Sequence, residues 1–221
     1  MSAFRVNDGK LELAGIDEGR EGCYLGARGL AFHPDGKTLF VACAVAGSLC
    51  VADRDATTGT TTVRQVLKNT AEENRGLDGA MGVAVSPDGQ FAYVSSGRFH
   101  GDNAVSAYRL GSDGRLDFLQ AVRDGEGALR NFAGGNQIAV SPDGRNVYAA
   151  ATRSGTVAAF RRDRSTGKLD CLETIPDGGD EAGAGNALGA AGVGISPDGR
   201  FLYVATEDKS GLSLFRRIGG P

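Results

Sequence analysis

Gly82-Val83-Ala84-Val85-Ser86-Pro87-Asp88-Gly89-Gln90-Phe91-Ala92-Tyr93-Val94-Ser95 decides the fold of this chain. Val83-Ala84-Val85 is a short apolar run. Ser86-Pro87-Asp88-Gly89 is turn chemistry, with proline presetting the corner and glycine supplying a positive φ. Phe91 to Ser95 is a second run with the aromatic and β-branched residues of a strand. The same wording returns at Gly29 to Gly36, Gln137 to Gly144 and Gly192 to Gly199, with His33 in place of the turn serine in the first copy. The turn prolines are Pro34, Pro87, Pro142 and Pro197, at intervals of 53, 55 and 55 residues. Self-similarity at this period marks a repeat architecture, in which each unit buries its apolar face against its neighbours.

Outward from Ser95, the second copy continues through a loop, Gly97 to Asn103, into a third strand, Ala104 to Arg109. The turn Gly111-Ser112-Asp113-Gly114 leads to a fourth, Leu116 to Val122, in which apolar and polar residues alternate. Third strands elsewhere end in Val51-Ala52-Asp53-Arg54-Asp55, Ala159-Phe160-Arg161-Arg162-Asp163 and Leu214-Phe215-Arg216-Arg217. A four-stranded antiparallel meander repeated every ~54 residues is a β-propeller blade, so the fold class is all-β. Near the start, Ala3 to Gly9 matches a third strand and its turn, and Leu11 to Ile16 a fourth. The other end supplies a first, second and third strand. One propeller domain, 1–221, is therefore expected. Its repeats run near 29–76, 82–131, 137–187 and 192–217, with a partial blade at 2–16: three complete blades plus partial terminal blades. A small closed ring, a partial ring completed by a second chain as a homodimer, and a piece of a larger ring all fit this pattern.

Thirty-five glycines and no tryptophan suit many short strands joined by tight turns. A net charge of -3, with no Lys/Arg block, offers nucleic acid no footprint. No apolar run is long enough for a membrane span, and residues 1–10 lack the apolar core of a signal peptide. A cytoplasmic protein follows, or a secreted one if the chain is a fragment of a longer precursor. Cys23, Cys43, Cys50 and Cys171 contain no C-x-x-C pair, so no metal site and no cofactor is expected. The cysteines read as small buried thiols, with an oxidised Cys43–Cys50 pair as the alternative.

The phrases GVAVSPDGQFAYVSS, QIAVSPDGRNVYAAAT and AAFRRDRSTGKLD resemble the YVTN-like repeats of the seven-bladed propeller lactonase superfamily, which includes 6-phosphogluconolactonase-like and muconate-lactonising-enzyme-like proteins. GARGLAFHPDGKTLFVA, from Gly26 to Ala42, is the segment most similar to the lactonase repeat. In that repeat the arginine is commonly followed by histidine; here Arg28 is followed by Gly29. The resemblance implies a hydrolase of a sugar-acid or muconate-type lactone. Many propellers with this grammar catalyse nothing, so a scaffold that binds a small molecule or a protein through its loop face is the other reading.

In a meander blade, the fourth-to-first and second-to-third connections share one face around the channel. The recurring Asp35, Asp88, Asp143 and Asp198 lie in turns on the opposite face, where a local hydrogen bond explains them. Residues that break the repeat on the channel face carry more information. At the start of the first strands these are Arg28, Met81, Asn136 and Ala191. An arginine can clamp a carboxylate, and an asparagine can orient a carbonyl or hydroxyl. The longest second-to-third loop holds Arg98, Phe99, His100, Asp102 and Asn103. Lactone hydrolysis needs a base to activate water and positive charge where the oxyanion develops. His100 is the expected base with Asp102 orienting it, and Arg28 or Arg98 would hold the oxyanion or a carboxylate. Asn136, Met81 and Asn103 would complete the ligand-binding wall.

Overall fold

The structure, a computed structural model, describes residues 2–17, 23–70, 73, 75–176, 189–207 and 211–218. Seventeen strands fall into five antiparallel sheets among these residues. The hairpin β1 (Ser2–Asn7) and β2 (Lys10–Ile16) stands first. Three four-stranded meanders follow: β3 (Ala27–Phe32), β4 (Thr38–Cys43), β5 (Ser48–Arg54) and β6 (Thr61–Lys68); β7 (Ala80–Val85), β8 (Phe91–Ser96), β9 (Ala104–Leu110) and β10 (Leu116–Arg123); and β11 (Gly135–Val140), β12 (Asn146–Ala151), β13 (Thr156–Arg162) and β14 (Leu169–Pro176). The last sheet is β15 (Ala190–Ile195), β16 (Phe201–Thr206) and β17 (Leu212–Arg216). These are the blades read from the repeats. The first strands pack in succession, β3 on β7, β7 on β11 and β11 on β15, so they line the axis of the array.

Local chemistry makes each blade in the same way. In the second, Ser86 Oγ donates to Asp88 Oδ1 at 2.6 Å and accepts from the Phe91 N–H at 3.0 Å. Asp88 Oδ1 also accepts from the Gln90 N–H, and Gly89 turns the corner at φ +73. The recurring aspartate is thus a turn residue, as its position in the repeat suggests. In the first blade His33 Nδ1 accepts from the Asp35 N–H at 3.2 Å, so the imidazole replaces the serine within the turn. Second strands β4 and β8 are buried along their whole length: β8 lies between the first and third blades, whereas β4 packs Phe40 and Ala42 on the second blade and Leu39, Val41 and Cys43 around Cys23. The core is correspondingly a series of layers between blades, with Tyr93, Phe91, Phe132 and Phe160 in one layer and Phe40, Leu49, Leu77 and Tyr108 in the next.

Polar clamps lock successive blades. Arg162, fully buried at the end of β13, donates to Tyr93 Oη, Gly144 O and Asp88 Oδ2, each at 2.8 Å. Arg217 repeats the arrangement one blade later, donating to Tyr148 Oη at 3.0 Å and Asp143 Oδ2 at 3.1 Å. Burial works against the charge on Asp88 and Asp143. The turn serine and the facing arginine overcome it and hold both carboxyls below the usual range. Nearer the outer edge, Gln65 bridges to the backbone of Leu116, and Gln120 bridges likewise to Leu169. All four cysteines are free thiols; the Cys50 thiol donates to the Cys23 carbonyl at 2.9 Å.

Candidate functional site at the channel mouth

A β-bulge marks the start of every first strand. In β3 the register passes from Ala27↔Cys43 to Gly29↔Ala42 and leaves Arg28 unpaired. In β7 it passes from Ala80↔Ser96 to Gly82↔Ser95 and leaves Met81 out. The shift lies between Gly135 and Ile138 in β11, around Asn136, and between Ala190 and Gly192 in β15, around Ala191. A bulge re-aims the side chain of the extra residue. The four variable positions of the sequence are therefore the four bulged positions, and they turn towards one space.

That space is a cavity of about 740 Å³, lined by Arg28, Met81, Arg98, Asn136, Ala191 and Glu207 among others. A second cavity of about 240 Å³ adjoins it and shares Met81, Arg98, Asn136 and Glu207, adding Phe99, Thr152 and Arg153. Arg28, Arg98, Met81 and Asn136 thus meet at one channel mouth, although they come from three blades.

Glycine follows three of the four bulges, and at Gly29 and Gly82 it lets the first strands approach closely. A Cβ on Gly29 would lie 2.5 Å from the Met81 carbonyl oxygen, and one on Gly82 would lie 2.3 Å from that of Asn136. This explains the Gly29 departure from the arginine-histidine pattern: no side chain fits there unless β3 and β7 separate. Asn136 is held by its Nδ2 donating to Thr152 Oγ1 at 2.8 Å, and Thr152 in turn donates to the Ala190 carbonyl.

The β8–β9 loop makes a tight turn at Arg98–His100, stitched by Gly97 and Arg98 N–H groups on the Gly79 carbonyl. Phe99 sits at φ +54, a left-handed conformation that an aromatic residue rarely adopts. Its ring is exposed and lies under the Arg98 guanidinium, 4.7 Å from the centroid. Backbone strain of this kind gathers at binding and catalytic loops. Arg98 Nε is buried and has no hydrogen-bond partner among the described residues.

The remaining expected residues lie as follows. Asp102 Oδ2 accepts from Asn69 Nδ2 and from the Asp78 N–H, both at 2.9 Å, which ties the β8–β9 loop to the β6–β7 connection. Asn103, at φ +47, uses Oδ1 to accept from the Gly134 N–H at 3.0 Å and from Arg153 Nη2 at 3.4 Å. It therefore braces the wall from behind and steers Arg153. The His100 side chain lies outside the described residues.

Two mouth residues, Arg153 and Glu207, escaped the sequence reading. Glu207 directly follows β16, and its N–H donates to the Gly189 carbonyl at 2.7 Å. Ala44, Gly97 and Thr152 make the same backbone bond in the other blades. Superposing the repeats at this position would have shown one carboxylate among three neutral residues. Among the described residues the mouth thus combines three guanidinium groups, one carboxylate, the amides of Asn136 and Gln137 and an exposed aromatic ring.

The profile of a family described as "Lactonase, 7-bladed beta-propeller" matches residues 1–181. A 6-phosphogluconolactonase of Pectobacterium carotovorum (strain PC1) is 26% identical over 141 residues, covering 64% of this chain and 40% of the relative. One of Bacillus subtilis (strain 168) is 24% identical over 173 residues, covering 78% and 46%. The periplasmic gluconolactonase PpgL of Pseudomonas aeruginosa superposes with a TM-score of 0.66 at 25% identity, over 98% of this chain and 63% of that one. A Bacteroides uniformis crystal structure superposes with a TM-score of 0.75 at 20% identity, over 99% and 61%, which bears on the fold alone. The chain spans less than half the length of those two curated relatives.

Proposed function

The chain belongs to the seven-bladed β-propeller lactonase family, and on that premise we propose that its channel mouth hydrolyses a sugar-acid lactone. The observation that carries this reading is the convergence of Arg28, Arg98 and Asn136 with Glu207 on one cavity. Opening a lactone requires water to add to the ring carbonyl, negative charge to be stabilised on its oxygen, and the ring alkoxide to leave with a proton. Glu207 supplies the carboxylate that accepts the proton of the attacking water and returns it to the departing alkoxide. Arg28 or Arg98 supplies the fixed positive charge at the developing oxyanion. Asn136, oriented by Thr152, aligns the carbonyl or a ring hydroxyl. The other guanidinium groups favour an anionic substituent such as a carboxylate or phosphate, because a forked donor matches either group. The names of the relatives, 6-phosphogluconolactonase and gluconolactonase, fit such a substrate.

The test is hydrolysis of 6-phosphoglucono-δ-lactone and glucono-δ-lactone, followed by acid release and corrected for the spontaneous rate. Wild-type protein should accelerate opening, and Glu207→Gln should lose ~10²–10⁴-fold of the rate, the usual worth of a positioned acid–base group. No acceleration over solvent, or full activity in Glu207→Gln, would overturn the mechanism. Saturable binding of gluconate or its phosphate without turnover would favour the scaffold reading instead.

A further inference from the structure

Arg98 and Arg153 hold the same place in successive blades. Gly97 in the second blade and Thr152 in the third make the equivalent backbone bond at the end of the second strand, and an arginine directly follows each. The Arg98 N–H donates to the Gly79 carbonyl and the Arg153 N–H to that of Ala133, so both side chains leave from the anchored start of a second-to-third loop. In the first blade the same place holds Val45, which carries no charge. Both arginine loops belong to blades with another described blade on either side, since β7 packs on β3 and β11, and β11 packs on β7 and β15.

The two side chains line the smaller cavity, of about 240 Å³, from adjacent blades. Gly97, Gly134 and Gly135 contribute bare backbone to it, and Glu207 is its one carboxylate among the described residues. One carboxylate against two guanidinium groups leaves the pocket positive, and concave walls concentrate that field. Each arginine is oriented by a neutral neighbour. The Arg98 guanidinium rests on the Phe99 ring, 4.7 Å from the centroid, and its Nε has no hydrogen-bond partner among the described residues. Arg153 Nη2 donates to Asn103 Oδ1 at 3.4 Å, and that oxygen is itself fixed by the Gly134 N–H at 3.0 Å. A ring face and an amide orient a guanidinium without cancelling its charge. A single fork already matches both oxygens of a carboxylate. Two forks lining one pocket suit an anion with more oxygens and more charge. The end of a phosphate monoester is such a group, with three terminal oxygens and nearly two negative charges.

We propose that Arg98 and Arg153 form a two-sided clamp for a phosphate monoester, and that this clamp selects which sugar-acid lactone the mouth accepts. The selecting role rests on the lactonase reading; the clamp itself is a matter of binding alone. The cavities divide the guanidinium groups between two tasks. Arg28 lines only the larger cavity and Arg153 only the smaller, whereas Glu207 and Asn136 line both. A substrate with its phosphate in the smaller cavity therefore extends its ring past Glu207 towards Arg28. That leaves Arg28 as the positive charge at the oxyanion.

Isothermal titration calorimetry with 6-phosphogluconate and with gluconate separates the clamp from the chemistry, since neither acid has a lactone to open. Wild-type protein should bind 6-phosphogluconate roughly tenfold or more tightly than gluconate, and inorganic phosphate should compete with it. Arg98→Gln and Arg153→Gln should each remove most of that preference. Gluconate affinity should change by less than about twofold, because the carboxylate at the reaction centre is common to both ligands. Arg153→Lys, which keeps the charge and loses the fork, should retain only part of the preference and serves where Arg153→Gln fails to fold. Equal affinity of the wild-type protein for both ligands, an undiminished preference in the variants, or an equal loss of both ligands would overturn the proposal. A phosphate preference without lactone hydrolysis would uphold the clamp and refute only the lactonase reading. Hydrolysis of phosphorylated and neutral lactones at equal kcat/KM would refute the selecting role alone.

Discussion

Replacing Arg162 by alanine should destabilise the protein more than any other single truncation of a charged side chain among the described residues. Arg162 is completely buried, makes three hydrogen bonds of 2.8 Å, and lies over the Phe91 ring at 5.0 Å. Truncation leaves the Gly144 carbonyl without this donor and strips Asp88 of its counter-charge. Tyr93 keeps a partner, since its hydroxyl donates to Gly167 O at 3.0 Å. Removing one member of a buried pair costs about 3–5 kcal/mol. The Asp88 side chain is 28% exposed, so water recovers part of that loss and the lower half of the range applies. The lost guanidinium–ring contact adds about 0.5–1 kcal/mol. A loss of about 4 kcal/mol should lower Tm by roughly 8–16 °C in a chain of this size. Urea unfolding followed by circular dichroism measures it. Between the first and second blades Leu110 stands at the position of Arg162 and Phe40 at that of Tyr93, so Arg162→Leu combined with Tyr93→Phe copies that interface and should recover at least half of the loss. A cost below about 1 kcal/mol for Arg162→Ala, or no recovery in the double variant, would refute the view that the clamp joins the blades.

Two further outcomes follow from the turns. Gly89→Val should destabilise by about 1–3 kcal/mol, because Gly89 sits at φ +73 and its Cβ would lie 2.3 Å from His33 Nε2; an unchanged urea midpoint would contradict this. Asp163 and Asp198 are held down to about 2, first by the Ser165 and Ser196 hydroxyls and then by backbone N–H groups and, for Asp198, its arginine neighbour. A carboxyl depressed in the folded state contributes stability above its unfolded value and loses it as pH falls through the folded one. Stability should therefore be flat above about pH 5 and decline from about pH 4 to 2. Urea midpoints that stay constant down to pH 2 would show that the turn carboxylates contribute nothing.

The blade pattern was legible because it is local and repeated. Each Ser-Pro-Asp-Gly turn closes through bonds among residues at most five apart, such as Ser86 to Phe91, so the sequence alone states both the turn and the strands it joins. Candidate site positions were legible for a related reason. Arg28, Met81, Asn136 and Ala191 differ where the repeat is otherwise constant, and that irregularity coincides with the bulges. Glu207 was equally accessible in principle, but the second-to-third loops vary in length and hide its equivalence to Ala44, Gly97 and Thr152. Asp102 shows what a local pattern does not supply: its Oδ2 is engaged by Asn69 and the Asp78 backbone, 33 and 24 residues away, while its expected partner, the His100 side chain, lies outside the described residues.

By itself, then, the sequence determined the all-β class, the four-stranded blade and its period, because strand alternation and turn chemistry act over a few residues. Tertiary structure decided which bulged side chains share the channel mouth, that Gly29 must lack a side chain, and that Tyr93, Asp88 and Arg162 form one clamp. Those facts depend on the angle and spacing at which one blade meets the next. Both are set by contacts between residues as far as 74 positions apart, which no local pattern encodes.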